Sequence, residues 1–208
     1  MTSVAAEREA VLRGLGDDDR FDVRVAGVGQ VAAAVSTAKA LMRAEYRLVI
    51  NAGIAGGFPE RAEVGSLVVA DEIVAADLGA ESQEGFLSLD ELGFGSARIS
   101  VDQGVVTALT AALRAAGLSA QAGPVLTLST VTGSAETAAL LADRVPGAAA
   151  EAMEGYGVAL AAQDRGIPAL EIRTISNPVG PRDRSAWRIK EALAALEAAS
   201  AIFAEVLG

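Results

Sequence analysis

Apolar and polar positions along this chain switch between a helical period and near-continuous short runs. Residues 6–15 carry Glu7, Arg8, Glu9 and Arg13 among apolar neighbours and predict a helix, which Gly16-Asp17-Asp18-Asp19 ends with a turn. Residues 21–28 alternate and then turn apolar, predicting a strand that finishes at Gly27-Val28-Gly29. A helix over 31–44 and a strand over 47–51 follow, and Gly53-Ile54-Ala55-Gly56-Gly57 comes directly after that strand. Residues 64–76 are almost entirely apolar, broken only by Asp71 and Glu72, so a buried strand bent at the two acids is expected. Residues 77–95 show little periodicity and read as a long loop, a lid or a partner contact. Beyond it the pattern predicts a helix over 101–117, a strand over 123–130 and a helix over 133–144. A short inner strand over 147–150, a helix over 156–162, a strand over 168–176 and a closing helix over 185–207 complete the chain. Strands alternating with helices favour an α/β sheet rich in parallel pairs.

Two places in this pattern hold candidate chemistry. Both glycine clusters sit at strand ends, where open α/β sheets place their ligands and where glycine lets main-chain N–H groups come close. Gly27-Val28-Gly29-Gln30 has neither the third glycine of a dinucleotide fingerprint nor the lysine of a P-loop. A tight turn explains two glycines equally well. The second place is Glu151-Ala152-Met153-Glu154-Gly155, an acidic stretch inside apolar sequence at a strand-to-helix junction. A carboxylate there either caps the following helix or forks onto a partner such as two adjacent hydroxyls.

Composition narrows the chemistry further. With no His and no Cys, the chain cannot build a Ser-His-Asp triad, a thiolate nucleophile, a disulfide or the usual zinc site, so acid–base work falls to carboxylates, Lys, Tyr or water. A net charge of −10 argues against nucleic acid as a partner. No apolar run approaches the ~20 residues of a membrane span, and Glu7 and Glu9 stand where a secretory signal needs an apolar stretch. A single cytoplasmic domain over 1–208 is expected.

Gly27-Val28-Gly29-Gln30-Val31-Ala32-Ala33-Ala34, Asn51–Gly57, Glu151–Glu154 and Ile175-Ser176-Asn177 occur in the order in which they recur in the nucleoside phosphorylase/nucleosidase superfamily, and the whole chain resembles it. Asp77-Leu78-Gly79-Ala80-Glu81, Leu92-Gly93-Phe94-Gly95 and the run from Ser176 through Gly180-Pro181-Arg182-Asp183-Arg184 are similar to the futalosine hydrolase subfamily, enzymes of an alternative menaquinone pathway. The resemblance implies a three-layer α/β domain whose mixed, partly barrel-like central sheet is flanked by helices. It implies hydrolysis of futalosine to hypoxanthine and dehypoxanthine futalosine, without metal or organic cofactor, by a homo-oligomer of two or more copies. A 6-oxopurine nucleoside phosphorylase and a catalytically inactive nucleoside binder are the alternatives.

Site residues follow from the same resemblance. Glu154 is expected to hold the ribose 2′- and 3′-hydroxyls, with Met153 under the sugar. Glu7 is expected to activate water, although on the residues alone it reads as a solvated position at a helix start. Gly53, Ile54, Ala55 and Gly56 supply main-chain contacts, and Val131 and Thr132 fall in the loop that stacks on the purine. Adenine-cleaving relatives carry aspartate where this chain has Asn177. An asparagine can give its NH2 to a 6-oxo group and accept from N7–H, which suits hypoxanthine; it can also simply start the turn before Pro178. Arg182, Arg184 and Trp187 are candidates for the carboxyphenyl group on the 5′ side, the other reading being arginines paired with Asp183 and a Trp187 anchored in the core. Relatives begin with a strand several residues longer, so a weakly anchored Glu7 is expected.

Overall fold

The computed structural model describes residues 1–207. Its strands are β1 (Val49–Gly57), β2 (Leu67–Ala75), β3 (Gly79–Ser82), β4 (Gly85–Ser88), β5 (Arg98–Ser100), β6 (Ala120–Thr127), β7 (Ala150–Ala152) and β8 (Ala169–Pro178). The helices are α1 (Ala5–Leu15), α2 (Gln30–Leu41), α3 (Leu89–Leu92), α4 (Gln103–Ala115), α5 (Ala135–Arg144), α6 (Gly155–Gln163) and α7 (Ile189–Val206), with a 3-10 turn at Arg184–Ala186.

The order β2-β6-β7-β1-β8 closes on itself because β8 also pairs with β2, and β5 adds to the outer half of β2. Around this ring β2–β6, β6–β7 and β1–β8 run parallel, while β7–β1 and β8–β2 run antiparallel. The expected mixed, barrel-like sheet is therefore a closed five-stranded ring with helices outside. Val, Leu, Ile and Ala fill it: Leu67, Val68, Val69, Val125, Leu170, Ile172 and Ile175 are buried, and Leu196 and Phe203 of α7 pack onto the same cluster. The bend predicted in β2 is real. Its register against β6 shifts between Ala70 and Ile73, where Asp71 and Glu72 break the apolar run.

Several boundaries differ from the pattern. The 51–57 glycine cluster lies inside β1 rather than after it, because the missing side chains let two neighbours crowd this strand. Residues 77–95 are not an irregular loop but a β3–β4 hairpin followed by α3, capped by Ser88. The closing helix is interrupted around Trp187, with extended backbone between the 3-10 turn and α7. Residues 21–28 form only an isolated parallel bridge, Val25 to Thr2. Met1 and Thr2 fill the strand position between that segment and β1: Ala52 N–H donates to the Met1 carbonyl (2.9 Å) and Thr2 N–H to the Arg24 carbonyl (3.0 Å).

Candidate active site

Among the described residues five charged side chains are buried: Glu7 at the start of α1, Glu151 in β7, Glu154 at the start of α6, and Glu171 and Arg173 within β8. Burial of charge is costly unless each group is paired or hydrogen-bonded, so their partners define the site.

Glu7 lies in the first turn of α1 and is 2 % exposed. Its Oε2 accepts N–H groups from Ser3 (2.7 Å) and Val4 (3.2 Å), and its Oε1 accepts from Ile54 (2.9 Å). The expected weak anchoring is thus corrected. Ser3 and Val4, just ahead of α1, supply two of the donors and β1 supplies the third. Gly53 makes room for the arrangement, since a Cβ there would lie 2.6 Å from Glu7 Oε1 and 2.9 Å from Arg173 Nη1.

Glu154 is the N-cap residue of α6, yet its carboxylate does not cap that helix. Oε1 accepts from Gly29 N–H (3.2 Å), and Oε2 faces Arg173 Nη2 at 3.3 Å. Glu151 sits in β7, one strand residue removed from any cap role, and takes Thr132 N–H at 2.9 Å and Thr132 Oγ1 at 2.5 Å. Burial pushes the Glu151 carboxyl up despite these two donors. The helix-cap reading of the acidic stretch is set aside for both residues.

Arg173 is the residue the sequence pattern did not single out. It is 1 % exposed in β8, with Nε on Glu171 Oε1 (2.8 Å), Nη2 on Glu154 and Nη1 on the Ile54 carbonyl (3.3 Å). Asn51 Nδ2 adds a bond to Glu171 Oε1 (3.2 Å). Burial pushes the Glu171 carboxyl up, opposed by Arg173. A signal was present: Glu171 and Arg173 stand two apart in an otherwise apolar strand, hence on one face, and a buried strand keeps such a pair only when it is matched.

The second half of the site is a row across three strands. Glu151 pairs with Gly56, and Gly56 with Asn177. A Cβ on Gly56 would be 3.0 Å from Val179 Cγ2, 3.3 Å from Asn177 Nδ2 and 3.6 Å from Glu151 Cγ, so the glycine lets these three side chains pack closely over β1. Asn177 is held from its own strand end, accepting from Ser176 Oγ (2.8 Å) and donating to the Pro178 carbonyl (3.0 Å). Ser176 Oγ also donates to the Ala55 carbonyl (3.2 Å).

Met153 is half-buried beside Glu154, Thr132 is buried against Glu151, and Val131 is exposed. Arg182, Arg184 and Trp187 form a separate exposed group. The guanidinium carbons lie 5.0 and 5.9 Å from the Trp187 ring centre, and Asp183 bonds Ser185 rather than either arginine. The alternative with Asp183 ion pairs and a core tryptophan is not what forms, since Trp187 is only half-buried. One main-chain bond, Arg182 N–H to the Gly133 carbonyl (3.3 Å), ties this segment to the loop bearing Val131 and Thr132.

Comparison with known proteins identifies the family and the fold. The family model described as the phosphorylase superfamily matches residues 18–207. The futalosine hydrolase of Streptomyces coelicolor is 52 % identical, covering 99 % of this chain and 94 % of that protein. The futalosine hydrolase of Acidothermus cellulolyticus is 48 % identical over 97 % of this chain and 87 % of its own. Among solved structures, native futalosine hydrolase of Helicobacter pylori superposes with a TM-score of 0.81 at 18 % identity, covering 99 % of this chain and 94 % of that one, a likeness of fold. This chain belongs to the phosphorylase superfamily and, within it, to the family of the futalosine hydrolases.

Proposed function

We propose that this protein hydrolyses the N-glycosidic bond of futalosine, releasing hypoxanthine and dehypoxanthine futalosine. The observation that carries the reading is the convergence of two buried carboxylates with Arg173 at β1: Glu154 faces Arg173 Nη2 at 3.3 Å, and Glu7 Oε1 and Arg173 Nη1 both crowd the bare face of Gly53. As the C1′–N9 bond breaks, its electrons pass to the purine and positive charge grows on the ribose. Carboxylates aimed at that sugar stabilise the charge. Glu7 takes a proton from the attacking water, whose oxygen bonds to C1′, and solvent protonates the departing base. Glu154 accepts from the ribose diol, and Met153 packs under the sugar. Gly53, Ile54, Ala55 and Gly56 line the floor, with Val131 and Thr132 across from them. Asn177 donates to O6 and accepts from N7–H of the base, which it does by turning away from Pro178.

A phosphorylase is disfavoured by the same geometry. Among the described residues the one buried guanidinium is already shared by Glu171 and Glu154, which leaves an incoming phosphate facing carboxylates. The reading extends to a cytoplasmic homo-oligomer, because Val28, Val31 and Val35 leave an exposed apolar stripe along the start of α2. Sedimentation of the purified protein measures that point. The activity is tested by following hypoxanthine release from futalosine, inosine and methylthioadenosine with and without phosphate. Release from futalosine that needs no phosphate is expected. Strict phosphate dependence, or retained nucleoside affinity with no turnover, overturns it.

A further inference from the structure

Two carboxylates without a part in the reaction described above, Asp77 and Glu151, hold opposite ends of one short loop. Residues 129–132 connect β6 to the turn before α5. At the loop's start, Ser129 N–H donates to Asp77 Oδ2 at 2.6 Å. At its end, Thr132 gives both its N–H (2.9 Å) and its hydroxyl (2.5 Å) to Glu151. Between these anchors the main-chain groups of Thr130 and Val131 have no hydrogen-bond partner among the described residues. Val131 is 37 % exposed, whereas Thr132 is 6 % exposed. A loop pinned at both ends by bonds to carboxylates is held in one place, with the exposed main chain of Thr130 and Val131 open to a ligand.

The anchors also join this loop to both halves of the site. Glu151 stands in the strand row with Gly56 and Asn177. Ser129 Oγ accepts from Gln30 Nε2 (3.2 Å), and the neighbouring Gly29 N–H holds Glu154 (3.2 Å). Asp77 itself follows β2, whose last residue pairs with Thr127 at the end of β6, so it sits at the edge of the crevice.

We infer that Asp77 and Glu151 are positioning residues for base recognition, fixing the 129–132 loop so that its free main chain meets the purine edge opposite Asn177. The inference rests on the nucleosidase reading above. Its test uses free hypoxanthine as the probe, since a base alone reports the loop without the sugar clamp. Calorimetric affinity for hypoxanthine and the KM and kcat for futalosine are measured for the wild type, Asp77→Ala, Asp77→Asn, Thr132→Val and Glu151→Gln, with melting temperatures as a folding control. Losing one hydrogen bond to a charged group corresponds to roughly a tenfold loss, so Asp77→Ala is expected to weaken hypoxanthine and raise KM by about tenfold with kcat little changed. Asp77→Asn keeps an amide oxygen to accept from Ser129 and is expected to restore most of that affinity. Thr132→Val, which keeps the N–H bond but loses the hydroxyl, is expected to weaken the base while remaining folded even if Glu151→Gln is not. A wild type that releases no base from futalosine sinks both readings. Wild-type release together with unchanged base affinity in Asp77→Ala and Thr132→Val sinks this one alone.

Discussion

Replacing Arg173 with methionine isolates what one guanidinium does for this fold. The side chain is 1 % exposed and faces Glu171 at 2.8 Å, Glu154 at 3.3 Å and the Ile54 carbonyl at 3.3 Å. Methionine is apolar and of comparable length, so the volume is kept while two carboxylates lose their cation. Removing one partner of a buried pair costs about 3–5 kcal/mol. In a domain of this size each kcal/mol moves the melting temperature by about 2–4 °C, which gives a drop of roughly 6–20 °C. The sign with pH follows from burial. Glu171 is already pushed up by its surroundings and opposed mainly by Arg173. Without the guanidinium its folded-state value rises further above the unfolded one. Above the ordinary carboxylate value the folded variant then binds more protons than the unfolded chain, so its stability falls as pH rises through that window. Calorimetric melts at several pH values should show the gap to wild type widening from acid toward neutral pH. Adding Glu171→Gln to the variant removes one of the stranded charges and should recover part of the loss. A drop under about 2 °C, flat with pH, would refute the claim that Arg173 neutralises these carboxylates.

Further substitutions separate the remaining roles. Glu7→Gln removes the proton acceptor and turns an NH2 toward main-chain donors, so turnover should fall by about 10²–10⁴ with a stability loss of about 1–3 kcal/mol; near-normal turnover in single-turnover kinetics would remove Glu7 from the mechanism. Asn177→Asp should shift preference from 6-oxo to 6-amino bases and cost some stability, because a carboxylate would face the Pro178 carbonyl that the amide now bonds; unchanged selectivity between inosine and adenosine would return it to a turn role. Arg182→Ala and Arg184→Ala should each raise KM for futalosine about ten- to a hundredfold while leaving inosine nearly unchanged, and equal losses on both substrates would show that the pair serves only to stack on Trp187.

The order of elements was readable because, apart from the run at 21–28 that forms only the bridge from Val25 to Thr2, the apolar runs match strands or helix stripes, and the kink at Asp71-Glu72 was readable because acids interrupt such a run. Residues 77–95 were not. Their hairpin rests on cross-strand pairs such as Glu81 with Phe86, and its strands have few buried positions to impose a period of two. The Gly53–Gly57 stretch misled for a related reason. Glycine usually marks turns, but here its absent side chain admits Glu7, Arg173 and Asn177 against a strand. Glu154 and Asn177 stood out as polar residues at strand ends. Arg173 did not, because it lies within β8, and only its spacing from Glu171 hinted that both face the same interior.

How the buried charges are neutralised bears on which reaction the site favours. Among the described residues the buried charged side chains are four carboxylates and one guanidinium. Glu7 is satisfied by main-chain N–H groups of Ser3, Val4 and Ile54, and Glu151 by Thr132, so neither draws on Arg173 for a hydrogen bond. Main-chain donors hold a carboxylate in place while adding no net positive charge. This buried cluster of four carboxylates around one guanidinium therefore favours positive charge in surroundings where water is scarce and electrostatic interactions are strong. Such a field favours a ribose that becomes cationic as its base departs. It also resists an anionic nucleophile, which agrees with the proposed attack by neutral water with Glu7 as its base.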